Sequence, residues 1–377
     1  MDRKKDREST GEIDDLLTKV GLGHGRRKTL TGSWQNGERR RREQPASQEV
    51  RTEPGTERSV PLVQAPGWQK VTWLRHGFST RAGGVSTIYD SGSCNCSLNL
   101  GWTQQDESDN VTENRRRFMA AVAGETGELA GSPTQNASRS KSTVPCLVTL
   151  RQLHSGIVRM VEAGDFALEG RLQTADGRAV LRGDGLMTNI PGVFLAIQTA
   201  DCVPVLVADV RLRAVAAFHA GWRGTLARIV ERGVGAMRLR YGSRPQDLLA
   251  VVGPSIGPCC YAVGEEVCFE FESQFAYAPR LFSEVYDSDP VRDKYPLLFL
   301  TARAPGHSNI GPHIHLNLWE ANRRQLLDAG IPAKRITVIG ECTACAEVVS
   351  AAGRKYFSHR AESGFTGRMM AAVGVVL

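Results

Sequence analysis

Residues 183–224 read GDGLMTNIPGVFLAIQTADCVPVLVADVRLRAVAAFHAGWRG and hold the side chains best suited to chemistry. Two apolar β-type runs, VFLAIQT and VPVLVAD, flank the tripeptide Ala200-Asp201-Cys202. A third run, AVAAFHA, reaches His219 and opens into Gly221-Trp222-Arg223-Gly224. A soft thiolate ligand, Cys202, and an imidazole, His219, thus sit at the ends of neighbouring strands. Upstream, RQLHSG places His154 at the end of a further strand. Taken alone, each has an ordinary explanation, a core cysteine or a hydrogen-bonded turn histidine. Together, His154, Cys202 and His219 form a three-ligand set that leaves one position of a tetrahedral Zn²⁺ open, the arrangement of a catalytic zinc site. Imidazole and thiolate suit Zn²⁺ better than Mg²⁺ or Ca²⁺. Zinc brings coordinated water close to ionisation at neutral pH, which supplies a nucleophile or base.

Other polar residues extend the set. Asp201, next to the thiol, can orient a histidine, act as a base or simply cap a strand end. Asp184 in GDG is a weaker candidate of the same kind. Arg223 stands at an expected helix start beside glycines, where backbone N–H groups and a guanidinium make an anion site. Arg81 in FSTRAGG has the same setting. Either can hold phosphate, and either can be an ordinary surface arginine. GPSIGPCCYAVG (253–264) must form a tight loop, and its vicinal Cys259 and Cys260 read as a small-residue turn ahead of a metal or redox pair. Cys342 and Cys345 form a CxxC; without a partner pair it is a weak zinc signal and reads as packing.

The elements that must carry these residues follow from periodicity. Strands are expected at 70–80, 97–102 and 247–254, and six more between Cys146 and Ala220. RAGGVS reads as a glycine turn. Helices are expected at 110–124 with Asn110 as cap, 225–240, 264–275 and 316–330, the last stopped by Gly330 and Pro332. RITVIG, KYFSHR and GRMMAAVGVV complete the strands. Alternating strands and helices predict an α/β fold, layered, with a mixed sheet and a single domain over 62–377. Residues 1–61 read as a charged, disordered tail containing the run Arg39 to Arg42, and 124–145 as a surface-loop insertion.

Composition bounds the function. An apolar share of 41% and 39 glycines give a globular, turn-rich chain with ample core. The formal net charge of +7 is modest and is divided between the tail and the body, which argues against a nucleic-acid surface. No apolar run nears the roughly 20 residues that cross a bilayer. The polar first residues do not form a secretory signal, so a cytoplasmic location is expected. The nine cysteines are then expected to be reduced.

The motifs HGFSTRAGGVS, SLNLG, QLHSG, DGLMT, TADCVPVLVAD, AFHAGWRGT, GPSIGPCCYAVG, CTAC and FSHR with a following GR, in this order, resemble the YfiH/LACC1 family over about residues 70–377. That family was long labelled multicopper polyphenol oxidase and is also called purine nucleoside phosphorylase. The resemblance implies a three-layer α/β/α fold and one zinc ion held by the residues matching His154, Cys202 and His219. It also implies phosphorolysis of adenosine, inosine, guanosine and methylthioadenosine, with deamination of adenosine. The partners it implies are purine nucleosides and phosphate. The oligomeric state is not read. Ser155 stands where glycine is common, and His359 where tyrosine is.

A cysteine hydrolase would use Cys202 as nucleophile and His219 as base; His154 pointing away would favour it. A copper polyphenol oxidase would need roughly ten histidines for its centres, and the chain has eight. A purely partner-binding role is not supported by polar motifs grouped at strand ends.

Overall fold

Apolar runs bounded by glycine, proline or polar turns form strands wherever they can be covered on both faces, and this chain covers most of them. The computed structural model describes residues 60–89, 96–124, 146–168, 170–285, 313–348 and 353–376. These residues form a single domain within the unit Ser47–Leu377; the other unit, Met1–Ala46, lies outside the described residues. So do residues 1–59 of the expected tail, Arg39 to Arg42 among them, and residues 125–145 of the expected loop.

The first half of the domain holds β1 (Leu62–Val63), β2 (Leu74–Ser79), β3 (Ala82–Ser86), α1 (Ser108–Ala123), β4 (Cys146–Val148), β5 (Val158–Met160) and β6 (Gly185–Thr188). Its centre holds β7 (Val193–Thr199), β8 (Val203–Asp209), β9 (Ala214–Ala220), α2 (Trp222–Leu226), α3 (Ile229–Tyr241) and β10 (Leu248–Val252). There follow β11 (Ala262–Val263), α4 (Glu265–Gln274), β12 (Phe282–Val285), β13 (His313–Leu316), α5 (Leu318–Asp328), β14 (Ile336–Val338) and β15 (Met369–Val375).

The mixed α and β composition expected from sequence holds as an α+β arrangement, and the strands are distributed over three sheets among the described residues where one mixed sheet was expected. One sheet has the order β1-β2-β15-β7-β4, a second β14-β10-β8-β9-β6-β5, and a small third β11-β13-β12. The period-2 alternation of the central strands explains the division. Leu195 and Ile197 of β7 meet Leu206, Val215, Ala217 and Val251 of the second sheet in a core between the two large sheets. The opposite face of β7, with Phe194 and Ala196, packs on Phe118 and Val122 of α1. The opposite faces of β8 and β9 pack on Ile229, Val230, Val234 and Met237 of α3 and on Leu318, Ala321 and Leu326 of α5. A strand apolar on both faces needs cover on both sides, and two sheets face to face with helices outside supply it.

Several local expectations change. The turn RAGGVS is strand β3, because Gly84 lies so close to Ser97 that an added Cβ would stand 2.1 Å from its carbonyl oxygen. KYFSHR forms no strand; Tyr356 and Phe357 are buried from an irregular segment. Asn110 does not cap α1, which begins at Ser108 with Glu107 at the N-cap position. The helix expected at 225–240 is broken into α2 and α3 at Arg228, whose φ is 54°. Asn317 caps α5 by accepting from the Glu320 N–H at 3.0 Å.

One buried titratable group in this frame has a measurable consequence. His76 on β2 is 2% exposed, and its Nε2 accepts the Ala65 N–H at 2.8 Å. Burial lowers its pKa to about 4. The unfolded chain takes up that proton near pH 6.5. The folded value lies below the unfolded one, so its stabilising contribution is complete above pH 6.5 and is lost as pH falls toward 4. The loss amounts to about 3 kcal/mol. Urea denaturation between pH 7 and pH 4.5 is expected to show this dependence in the parent chain and a flatter one in His76→Gln.

Candidate active site

The site lies where the chain passes from one large sheet to the other. β7 belongs to the first sheet and β8 to the second, and Ala200-Asp201-Cys202 makes the crossing. β8 and β9 are antiparallel, with Val203 opposite Ala220 and Pro204 opposite His219. This register brings Cys202, just before β8, beside His219, near the end of β9. The ends of β8 and β9 therefore meet as the sequence led one to expect, whereas His154, expected at a strand end, lies on an irregular turn beyond β4, which stops at Val148.

A buried carboxylate supplies the third member. Asp184, just before β6, is 0% exposed. It accepts the N–H of His154 at 2.9 Å and of Ser155 at 2.7 Å, and the Ser155 hydroxyl at 2.7 Å. The Leu153 N–H also points at it, at 3.2 Å from either oxygen. These donors hold His154 at a φ of 58°, a conformation that costs a non-glycine residue on the order of 1–3 kcal/mol. On its other side Asp184 Oδ1 lies 2.9 Å from His219 Nδ1. A carboxylate there fixes the proton on Nδ1 and leaves Nε2 as a donor atom for a metal. Burial alone would raise the Asp184 carboxyl, but His219 and Ser155 hold it well below the usual range.

The three sequence candidates converge. One ligand atom from each of His154, Cys202 and His219 can be placed within 4.8 Å of the others. Cys202 Sγ lies 3.9 Å from His154 Nε2, and the two imidazole centroids are 4.9 Å apart at 76°. Gly221 permits the approach, since a Cβ there would stand 2.8 Å from Cys202 Sγ. Burial opposes the Cys202 thiolate, yet the neighbouring His219 and His154 outweigh it and bring the thiol to about 6. Burial likewise opposes a proton on His219, but Cys202 and Asp184 push it up to about 9. Two imidazoles and a readily ionised thiol are a donor set that fits Zn²⁺, with both histidines able to present Nε2.

The other candidates are placed differently. Asp201, with φ 92°, accepts the Thr343 hydroxyl at 2.7 Å and the Arg360 N–H at 2.7 Å. It braces two later loops, and the carboxylate that contacts a histidine is Asp184. Arg223 lines the cavity over the site and lies 4.2 Å from the Trp222 ring centroid. Arg81 does not line it. Its guanidinium pairs with Glu362 at 2.5 Å and with the Tyr89 carbonyl, over the Phe357 ring. Glu362 in turn accepts the Ser358 N–H at 3.0 Å, so Arg81 shapes the FSHR segment from behind.

The cavity has a volume of about 480 Å³, within the range of small-molecule sites. Arg360 and Arg368 add two cations to Arg223 on its wall, and Tyr261, Trp222 and Ile256 supply apolar surface. Sequence reasoning gave no role to Arg360, Arg368 or Tyr261, although all three fall inside motifs it had singled out.

Replacing Asp184 by asparagine keeps one acceptor but sets an NH₂ against N–H donors. Asp184→Asn is expected to cost at least about 2 kcal/mol of stability in a urea titration. A cost near zero would mean that the carboxylate does not organise the His154 turn.

Comparison with known proteins agrees with this architecture. The family described as multi-copper polyphenol oxidoreductase laccase matches residues 75–376. A purine nucleoside phosphorylase, YlmD, of Geobacillus stearothermophilus is 32% identical over 307 residues, covering 80% of this chain and 94% of that protein. An adenosine deaminase, RL5, of an unknown prokaryotic organism is 32% identical over 200 residues, 53% of this chain and 66% of that protein. The crystal structure of Bacillus licheniformis hypothetical protein YfiH superposes with a TM-score of 0.62 at 30% identity, covering 84% of this chain and 97% of that one. The chain therefore belongs to the laccase-labelled family of YfiH and YlmD proteins, a family whose named relatives are enzymes.

Proposed function

We propose that this chain is a cytoplasmic, zinc-dependent enzyme that cleaves purine nucleosides with phosphate and also deaminates adenosine. The observation that carries the reading is the convergence of His154, Cys202 and His219 at the floor of a cavity lined by cations and aromatic rings. The names of the relatives, purine nucleoside phosphorylase and adenosine deaminase, supply the substrate class. No helix among the described residues is long and apolar enough to cross a membrane.

Zinc held by these three side chains would supply Lewis acidity and an activated water near neutral pH. The protein's own groups do the rest. Asp184 keeps His219 in one tautomer and one orientation, so its Nε2 faces the site. Tyr261 and Trp222 offer ring faces on which a purine can lie, with Ile256 excluding water beside them. Arg223, Arg360 and Arg368 give the wall a positive field for inorganic phosphate and for charge that develops on the departing group. Asp201 acts as a positioning residue, because its two oxygens hold Thr343 and the Arg360 backbone.

The Cys202 and His219 values also suit a thiolate–imidazolium dyad, the cysteine-hydrolase alternative. The approach of His154 to the same sulfur favours metal. Against copper oxidation, the described residues contain no cluster of histidines beyond this pair with Cys202.

Adenosine incubated with phosphate and the zinc-loaded chain is expected to give adenine and ribose 1-phosphate, and inosine without phosphate. His154→Ala is expected to lower both rates by about 10²-fold or more. Arg223→Ala is expected to raise the KM for phosphate about tenfold while leaving deamination near the parental rate. No turnover of any purine nucleoside, with zinc bound, would refute the assignment.

A further inference from the structure

Two stretches that read as packing in the sequence meet in the fold. Cys259 and Cys260 come from the loop at 253–264, and Cys342 and Cys345 from the CxxC turn after β14. The four sulfurs lie within 4.8 Å of one another, and Cys259 Sγ is 3.6 Å from Cys345 Sγ. In a tetrahedral tetrathiolate zinc site, Zn–S bonds of about 2.3 Å set the sulfurs about 3.8 Å apart. A disulfide would need about 2.05 Å. The Cys259–Cys345 separation is that of neighbouring ligands in such a polyhedron and not that of a disulfide.

The backbone is arranged for thiolate at this place. The Gly257 N–H donates to Cys342 Sγ at 3.2 Å. Four thiols this close can all ionise only around a cation. Cys259 and Cys345 are exposed, which gives a metal a path of entry.

We propose that Cys259, Cys260, Cys342 and Cys345 form a second metal site, a closed tetrathiolate zinc centre with a structural role. It shares no residue with the set of His154, Cys202 and His219, and does not depend on the function assigned to that set. Its effect is to clip the loop at 253–264, which walls the cavity, to the loop of the CxxC turn, which bonds to Asp201. Ile256 and Tyr261 of the first loop line that cavity. Thr343 of the second donates to Asp201. Between the cysteines the loops are already joined by Ser255 N–H to the Glu341 carbonyl at 3.2 Å and Thr343 N–H to the Ser255 carbonyl at 3.0 Å. Four protein ligands leave no position for solvent or substrate, which is the arrangement of a structural rather than a catalytic zinc.

The test is metal content and spectroscopy of the full chain, purified with thiols reduced and zinc present. The parent is expected to hold two equivalents of zinc. His154→Ala/His219→Ala removes the first set and is expected to keep one equivalent. Cobalt in its place should give the sulfur-to-metal charge-transfer and intense d–d absorption of a tetrahedral tetrathiolate. Cys259→Ser/Cys345→Ser is expected to lose one equivalent and to release the other only with its first set. The double-histidine variant keeps the proposal testable if the cysteine variant fails to fold. A folded double-histidine variant with no zinc, iron in its place, or a Cys259–Cys345 disulfide in the non-reduced peptide map would overturn it. Loss of nucleoside turnover with this zinc retained would count against the proposed reaction and leave the second site standing.

Discussion

One buried carboxylate organises the candidate site of this molecule. Asp184 contacts four donors on the turn that carries His154 and, on its other side, the ring of His219. Without it, three backbone N–H groups would lack an acceptor and the left-handed conformation at His154 would have no compensation. A charge with no solvent exposure is expensive unless every lone pair is used. Here the satisfaction of that charge and the alignment of two imidazoles are one set of hydrogen bonds. Ser155 adds a hydroxyl to the set, so the departure from glycine strengthens the turn.

The second constraint is topological. Cys202 occupies the crossing between two sheets whose facing surfaces form a common core. The register of β8 against β9 therefore places Cys202, just before β8, beside His219, and irregular turns set His154 and much of the cavity wall. That division leaves Arg360, Tyr261 and Ile256 on loops, with the Arg360 and Ile256 N–H groups bonded to Asp201. Arg81 and Glu362 support the same loops from outside the cavity.

Much of this is legible in the sequence wherever a single element decides. VFLAIQT, VPVLVAD and AVAAFHA coincide with β7, β8 and β9, because each is a continuous apolar run closed by a turn. The proposed ligands are legible in part for the same reason: Cys202 and His219 adjoin such runs, whereas His154 stands on an irregular turn beyond the end of β4 at Val148. What depends on contacts between distant segments is not. Asp184 and Asp201 look alike in one dimension, and only the fold decides which reaches a histidine. Arg81 and Arg223 both stand beside glycines, yet the first faces Glu362 and the second the cavity. RAGGVS carries turn composition, but its glycines serve close passage of Ser97. The four clustered cysteines could not be grouped, since a vicinal pair and a CxxC some eighty residues apart carry no shared spacing signal.

The account rests on a single divalent ion gathering His154, Cys202 and His219. Anomalous diffraction from crystals of the zinc-loaded chain, recorded above and below the zinc absorption edge, tests it most directly. The account predicts a zinc peak within bonding distance of His154 Nε2, Cys202 Sγ and His219 Nε2. A zinc-replete crystal with no anomalous density there, and Cys202 paired with His219 alone, would contradict it.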